Sequence, residues 1–451
     1  MEQDIDYAAM EEKLRARVEA LLDGRVVTME RQVRWRPSWF ADVETAAGMK
    51  KVYVRGDRQS DVVPFPELKR EADILRVLGE QGIPAPEIYG MCDDPVAIIM
   101  EASPGTRDVI NARSDEERRS VARQYIEALV KMHRLPLAPF EEIGIEAPEG
   151  AEEIALAGVK AYMPLYQKNK VSPEPLIEFS LKWLRDNVPQ QRTRASFIAF
   201  DAGQFLFSEG QITALYDFEF AMIGDAMTDI ATMAMRHSYE PTGDAISSLI
   251  AHYEAVSGEP VDTAVVRYHH AVFATVACMQ FAGAIKNPKP GDPHDVYMEW
   301  DIALRKTLIN ALSKNLGVAL TEPQALTTVE NKTSSLNTML LDSGRQLPAD
   351  TPLQQAAVSA HQRLLEYNEA MQRCGGELDK WAEQEARAFV GECGSPGELD
   401  EKLEAYVQQA GPEDYGPLLQ YFSRQLARRM QATANIAIGV SAQHIQDDIL
   451  D

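Results

Sequence analysis

The stretch from Ser196 to Asp229 limits the possible folds more than any other part of the chain: it reads SFIAFDAGQFLF, a short linker, then ALYDFEFAMIGDAMTDIA. Short strand-forming runs, QFLF and ITALYDF, are embedded in a half of the sequence that is otherwise helical. Each run adjoins a turn that carries a carboxylate, Asp201 in the first case and Asp217 in the second. Two acidic hairpin elements this close in sequence are the raw material of a charged site, which the rest of the fold has to support.

Upstream, residues 25–55 alternate apolar and polar side chains in three runs, VVTMERQVRW, WFADVE and KKVYVR, broken at Pro37-Ser38 and at Ala46-Ala47-Gly48. That pattern predicts a small antiparallel meander. A helix is expected from about Phe65 to Gln81, with Leu68, Ala72, Leu75 and Leu78 at helical spacing and Gly82 just past its end. Two further strands, Glu87 to Gly90 and Ala97 to Glu101, complete a five-stranded sheet with one helix on it. The amino terminus reads as an amphipathic helix with Met10, Leu14, Val18 and Leu21 on one face. From Asp115 the pattern is helical, with Val121, Tyr125, Leu129 and Met132 sharing a face, and another helix covers roughly Pro175 to Asn187.

These readings divide the chain into an N-terminal helix at 1–24, a β-rich lobe at 25–105, a helical lobe at 106–318, a polar linker at 319–350 and a helical region at 351–451. In the last of these, Leu418, Phe422, Leu426 and Met430 recur every four residues, as in a bundle or cap.

A formal net charge of −24 argues against nucleic acid or an anionic membrane as partner, because both are bound through clustered Lys and Arg. The same field favours a cationic small substrate. No stretch approaches the roughly 18 to 20 apolar residues of a membrane-spanning helix. The first residues are acidic where a secretory signal is basic, and Cys92, Cys278, Cys374 and Cys393 are too far apart for a CxxC pair. A reducing cytoplasm is the simplest home, so the glycosylation sequon at Asn331-Lys332-Thr333 is read as chance.

A strand-rich lobe, a helical lobe and a pair of acidic loops resemble the protein-kinase-like fold, an α+β two-lobe architecture, and specifically the aminoglycoside phosphotransferase family with its choline-kinase-like relatives. The resemblance covers roughly residues 25 to 310. Its most specific part is YDFEFAMIGDAMTDIA, which follows the family pattern I-D-F-E-x-A-x-x-G-D-P-x-x-D-L-A almost position for position. In such proteins the Asp of this motif holds the Mg²⁺ that bridges the ATP phosphates, so the resemblance implies Asp217 as metal ligand. Mg²⁺ is indeed usually held by one or two protein carboxylates together with phosphate oxygens. Asp225 and Asp229 are expected to hydrogen-bond loop amides or cap the following helix.

The upstream loop departs from the family's H-G-D-x-x-x-x-N. Aligning the Asn with Gln204 puts Ala199 where the catalytic Asp stands. Gln204 keeps an amide oxygen for the metal, and Asp201 either takes over a base or orienting role or marks a loop that binds nucleotide without transfer. A general base typically contributes roughly 10² to 10⁴ in rate, so its loss slows phosphoryl transfer without abolishing it.

In the small lobe, Arg55 occupies the place of the kinase Lys on the α and β phosphates, and Glu71 that of its helix partner. An Arg can do both jobs, since it neutralises phosphate and pairs bidentately with carboxylate. The loop RWRPSWF stands where the family has a Gly- and Ser-rich phosphate loop, and only Ser38 matches. Trp35 and Trp39 are expected to pack inside the sheet. Met100, Glu101 and Ala102, followed by Pro104-Gly105, resemble the connection whose backbone hydrogen-bonds adenine. His133 reads as a buried structural histidine, while the insert Ala151 to Tyr166, the pair His269-His270 and the run HDVYMEWD around Trp300 are expected to line an acceptor cleft.

The resemblance therefore implies an ATP- and Mg²⁺-dependent phosphotransferase acting on a hydroxyl of a small molecule. The alternative is a catalytically impaired, kinase-like nucleotide-binding or regulatory protein whose C-terminal helices engage a protein partner or a second copy. No GxxxxGK[ST], HExxH or GxSxG motif offers a rival reading.

Overall fold

The computed structural model describes residues 7–32, 36–58, 63–289, 292–327 and 334–436, so Trp35 and the sequon at 331–333 lie outside the described residues. In chain order the elements are α1 (Tyr7–Leu22), β1 (Gly24–Arg31), β2 (Ser38–Thr45), β3 (Gly48–Gly56), α2 (Leu68–Glu80), β4 (Ile88–Asp93) and β5 (Val96–Glu101). Then come α3 (Asp115–Met132), α4 (Ala138–Glu142), α5 (Gly150–Ala155), α6 (Ala157–Asn169), α7 (Pro175–Asp186), β6 (Ser196–Ile198), β7 (Phe205–Ser208), β8 (Gln211–Leu215) and β9 (Met222–Gly224). The remainder is helical: α8 (Met227–His237), α9 (Ile246–Ser257), α10 (Thr263–Lys286), α11 (His294–Leu316), α12 (Ser334–Arg345), α13 (Pro352–Val390), α14 (Pro396–Gln409) and α15 (Pro412–Ala432).

Among the described residues, one compact unit comprises 7–161 and 189–269, and a second comprises 162–188 and 270–436. The first unit carries the five-stranded antiparallel sheet, ordered β1-β2-β3-β5-β4. The apolar alternation of β2 and β3 turns Ala41, Val43, Val52 and Val54 inward, where they meet Leu14 and Val18 of α1 and the fully buried Trp39. The α1 helix is thus part of the sheet's core rather than a separate appendage. Helix α2 starts at Leu68, later than the periodicity suggests, with Glu67 in extended backbone at its N-cap; Phe65, as the residue before a proline, is disfavoured in helical backbone. It buries Ala72, Leu75 and Leu78 as expected.

Gly105 is the most tightly enclosed glycine of this lobe. Its φ is 114°, and a Cβ there would lie 2.2 Å from the carbonyl oxygen of Phe207. That close approach lets Thr106 and Phe207 exchange backbone hydrogen bonds of 3.0 Å, tying the end of the sheet lobe to β7.

In the second unit, α7 packs on α14, α11 on α15, and α13 on α14 and α15. Met298 and Ile302 of α11 form a core with Ile436, against which Leu364, Tyr367 and Met430 pack. Residues 270–316 therefore group with the helices beyond 351, and the expected boundary at 318 is not a break in packing. The segment read as a linker at 319–350 contains α12, which lies along α13, with Asn337 donating to Gln372 at 3.2 Å. Its Ser, Thr and Asn content hid a helix that is specified by its neighbour more than by its own propensity. A buried Glu174 carboxylate is bracketed by Lys286 at 2.9 Å and Arg305 at 3.1 Å, and Arg305 also donates to Asp301 at 2.7 Å. No helix among the described residues is long and apolar enough to cross a membrane.

Candidate active site

Two short ladders hold the acidic loops. Antiparallel pairing of β6 with β9 sets Ser196 opposite Gly224 and Ile198 opposite Met222, while β7 pairs with β8. The loop 199–204 leaves β6 and enters β7, and the loop 216–221 leaves β8 and enters β9, so the pairing alone brings the two loops side by side. Tyr216 N–H donates to the Gln204 carbonyl at 3.3 Å, which seats Gln204 next to the loop of Asp217. One non-glycine residue in each loop has left-handed backbone, Phe200 at φ 65° and Asp217 at φ 66°. For non-glycine residues that conformation costs energy and is kept only where the surroundings enforce it.

Asp217 sits in a cluster of three arginines. Arg55 of β3 donates through Nη2 to Asp217 and through Nε to Glu71 of α2 at 2.9 Å. Arg36 and Arg58 both donate to Glu219, the latter at 2.5 Å. Burial works to raise the Asp217 pKa, but the charges of Arg55, Arg36 and Arg58 outweigh it and hold the carboxyl at about 2. The expected Arg55–Glu71 pair is present, and the bond to Asp217 extends it across to the second loop.

The preceding loop is pinned from below by Asp229, which accepts the amides of Ala199 and Phe200, each at 2.9 Å, and faces His133 Nε2 at 3.1 Å. Asp225 accepts the Met227 amide at 2.9 Å and a two-pronged contact from Arg192 at 2.7 and 2.8 Å. Both carboxylates thus take loop amides, as their spacing suggested, and His133 is buried with Tyr253 on its other nitrogen at 3.0 Å. Asp201 binds Arg236 through Oδ1 and accepts Gln204 Nε2 on Oδ2 at 3.1 Å. Burial pushes the Asp201 carboxyl up, against Arg236, which lowers it.

Facing these loops is a cleft of about 950 Å³. Its wall includes Arg55, Glu71, Met100, Glu101, Ala102, Gln204 and Asp217, so most residues singled out from the sequence converge there. Phe40 and Tyr53, with ring centroids 5.1 Å apart, face Leu206 and Met100 among the apolar lining.

Ser38 is a correction. It lies in β2 opposite Arg55, its hydroxyl is buried without a hydrogen-bond partner among the described residues, and it is not among the cleft-lining residues. The register of the meander, which starts β2 at this residue, takes it out of the loop. The Ala102 amide is also committed elsewhere, donating to the Lys51 carbonyl at 3.0 Å as the sheet's last rung. The next residue, Ser103, lines the cleft with a hydroxyl that has no partner among the described residues. His269 and His270 are buried in α10, and His269 Nδ1 contacts Thr228 Oγ1 at 3.1 Å, so neither lines a cleft. The HDVYMEWD run forms the start of α11 in the second unit, with Asp295, Glu299 and Asp301 buried.

Sequence reasoning did not single out Arg36, Arg58, Glu219 or Arg236, and it read Tyr125 only as part of a helix face, whereas the Tyr125 hydroxyl accepts the Gly203 amide at 2.6 Å. Arg36 lies between β1 and β2 and Arg58 just past β3, and only the folded sheet brings both to Glu219 of the motif loop.

A five-stranded antiparallel sheet, a paired-ladder loop site and a strand Arg tied to a helix Glu belong to a protein-kinase-like fold. Residues 42–267, slightly more than half of the chain, match the model of the phosphotransferase enzyme family, and the chain belongs to that family. "Probable acyl-CoA dehydrogenase IBR3" of Arabidopsis thaliana is 24% identical over 223 residues, 45% of this chain and 27% of that protein. "Acyl-CoA dehydrogenase family member 10" of Mus musculus is 23% identical over 175 residues, 36% of this chain and 16% of that protein. The chain thus spans well under a third of either curated relative. Among solved structures, macrolide 2′-phosphotransferase MphH from Brachybacterium faecium is similar at 15% identity and a TM-score of 0.45, covering 63% of this chain and 97% of that one.

Proposed function

We propose that the chain is an ATP- and Mg²⁺-dependent phosphotransferase that moves the γ-phosphate to a hydroxyl of a small molecule, and that it works in the cytoplasm. The observation that carries this reading is Asp217: a carboxylate held ionised, on left-handed backbone, at the wall of a cleft shared with Arg55 and Gln204. The donor set suits Mg²⁺. Gln204 gives its amide N–H to Asp201, which leaves Oε1 as an acceptor beside the Asp217 loop. One carboxylate and one amide oxygen, completed by phosphate and water, satisfy a hard cation. No group of three or more His, Cys, Asp or Glu able to hold a metal alone occurs among the described residues, consistent with a site that is finished by its nucleotide.

When bound, Mg²⁺ supplies charge neutralisation at the transferred phosphate. The chain's own residues do the rest. Arg55, oriented by Glu71, meets the phosphate oxygens, the segment Met100–Ser103 faces the base, and Asp201 orients the acceptor hydroxyl. Because both Asp201 oxygens are engaged, its role is positioning more than proton removal, and the loose transition state of phosphoryl transfer tolerates that.

The engaged Asp201 also favours a second reading, nucleotide binding without transfer, with the C-terminal helices as the surface for a protein partner. Incubating the purified chain with labelled ATP, Mg²⁺ and a panel of alcohols separates the two. Label transfer, or slow ATP hydrolysis lost in Asp217→Ala, supports the phosphotransferase. Thermal stabilisation by ATP with neither transfer nor hydrolysis supports the binding protein.

A further inference from the structure

The sequence between β1 and β2, QVRWRP, holds no glycine, the residue type that lets backbone amides come closest to a phosphate chain. Side chains stand in that place. Arg36, two residues before β2, and Arg58, just past β3, line the same cleft as Arg55 and Asp217, with side chains only 7% and 9% exposed. Both donate to one carboxylate, Glu219, two residues beyond Asp217. The buried Nε of Arg36 has no hydrogen-bond partner among the described residues. Arg36, Arg55 and Arg58 are paired with Glu71, Asp217 and Glu219, so a carboxylate of the chain itself is seated on the cluster.

We infer that Arg36 and Arg58 are a phosphate clamp, held in shape by Glu219, which grips the polyphosphate chain of the donor in place of glycine-loop amides. This rests on the nucleotide-dependent reading above. A guanidinium offers five N–H donors in a fixed fork. Each arginine can therefore keep one contact to Glu219 and turn the others to phosphate oxygens. The carboxylate prevents the two cations from repelling each other, and it also competes with the incoming anion. Removing its charge while keeping its shape strengthens the clamp.

The test is calorimetric titration of the full chain at pH 8 with tripolyphosphate and, separately, with ATP and Mg²⁺, for the unaltered protein and for Arg36→Gln, Arg58→Gln and Glu219→Gln, each checked for folding by circular dichroism. Loss of one charge-assisted contact weakens tripolyphosphate binding by about 10- to 100-fold in either Arg variant. Glu219→Gln tightens it by about 3- to 30-fold, because a repelling charge leaves a partly buried site. A purely structural role for the trio predicts lower melting temperatures with no tightening. If the Arg variants do not fold, Glu219→Gln decides the matter by its direction alone. Unaltered protein that binds ATP, with tripolyphosphate affinity unchanged in the Arg variants or not increased in Glu219→Gln, overturns the clamp and leaves the nucleotide reading standing. Binding of tripolyphosphate but not ATP overturns the nucleotide reading and keeps the clamp, while binding of neither overturns both.

Discussion

Arg55 donates to Asp217 through Nη2 while its Nε holds Glu71 at 2.9 Å, so one residue of β3 ties helix α2 to the loop that follows β8. The pair places the positive charge of the sheet lobe directly on the carboxylate proposed to carry the metal.

Asp217→Asn keeps the size and one acceptor oxygen but removes the charge that Mg²⁺ needs. ATP turnover is expected to fall by at least about 100-fold, the scale seen when a preorganised electrostatic contact to the reacting group is lost. A phosphate-release assay beside an unchanged far-ultraviolet dichroism spectrum checks this, and turnover within a fewfold of the unaltered protein refutes it.

Glu71 is almost fully buried against Arg55. Glu71→Ala leaves that guanidinium with Asp217 as its main counter-charge, and removing one partner of a buried pair costs about 3 kcal/mol or more. Urea unfolding should show the loss, and Glu71→Gln, which keeps a hydrogen-bond acceptor, should recover part of it.

Asp229→Ala orphans the buried amides of Ala199 and Phe200 and the ring of His133 together. Each unsatisfied buried group costs about 1–3 kcal/mol. The strained Phe200 backbone also loses its anchor. A drop in melting temperature together with lost nucleotide turnover is expected, and Asp229→Asn should retain more of both.

His270 is fully buried, neither ring nitrogen has a partner among the described residues, and burial alone lowers its pKa to about 4. In the unfolded chain it titrates near 6.5. Below that pH the unfolded state takes a proton that the folded state refuses, so stability falls as pH drops from about 6.5 to about 4 and then levels off. The cost accumulates to about 3 kcal/mol. His270→Leu should flatten this part of the stability curve, which denaturant melts at pH 7 and pH 5 measure. An unchanged slope in the variant excludes His270 as its source.

Much of the fold was legible because local rules and tertiary needs agree. The alternation in 25–55 could only bury one face of a meander, and the four-residue spacing of α2 and α3 could only bury one stripe. Asp225 was readable as an amide acceptor because an acidic residue just before a helix answers that helix's unpaired N–H groups, whereas Asp229 takes the amides of Ala199 and Phe200, a pairing that only the tertiary fold creates. Ser38, by contrast, shares the sheet face of Phe40 and Arg55, yet its hydroxyl is covered where the strand begins, and only packing decides that. The α12 helix escaped notice because its polar composition carries little intrinsic signal, and the histidine pair because burial of both faces of α10 is set by neighbours.

The sequence by itself determined the strands and helix of the β-rich lobe, the ionisable residues of the motif loops and the substitution of Ala199 for an expected carboxylate, since these depend only on residue type and spacing. The tertiary structure alone decided which cations those carboxylates meet. Arg36, Arg58 and Asp217 are far apart in the chain, and Arg236 is thirty-five residues from Asp201. Only strand pairing and the buried, low-dielectric packing around the loops turn scattered charges into one coupled site.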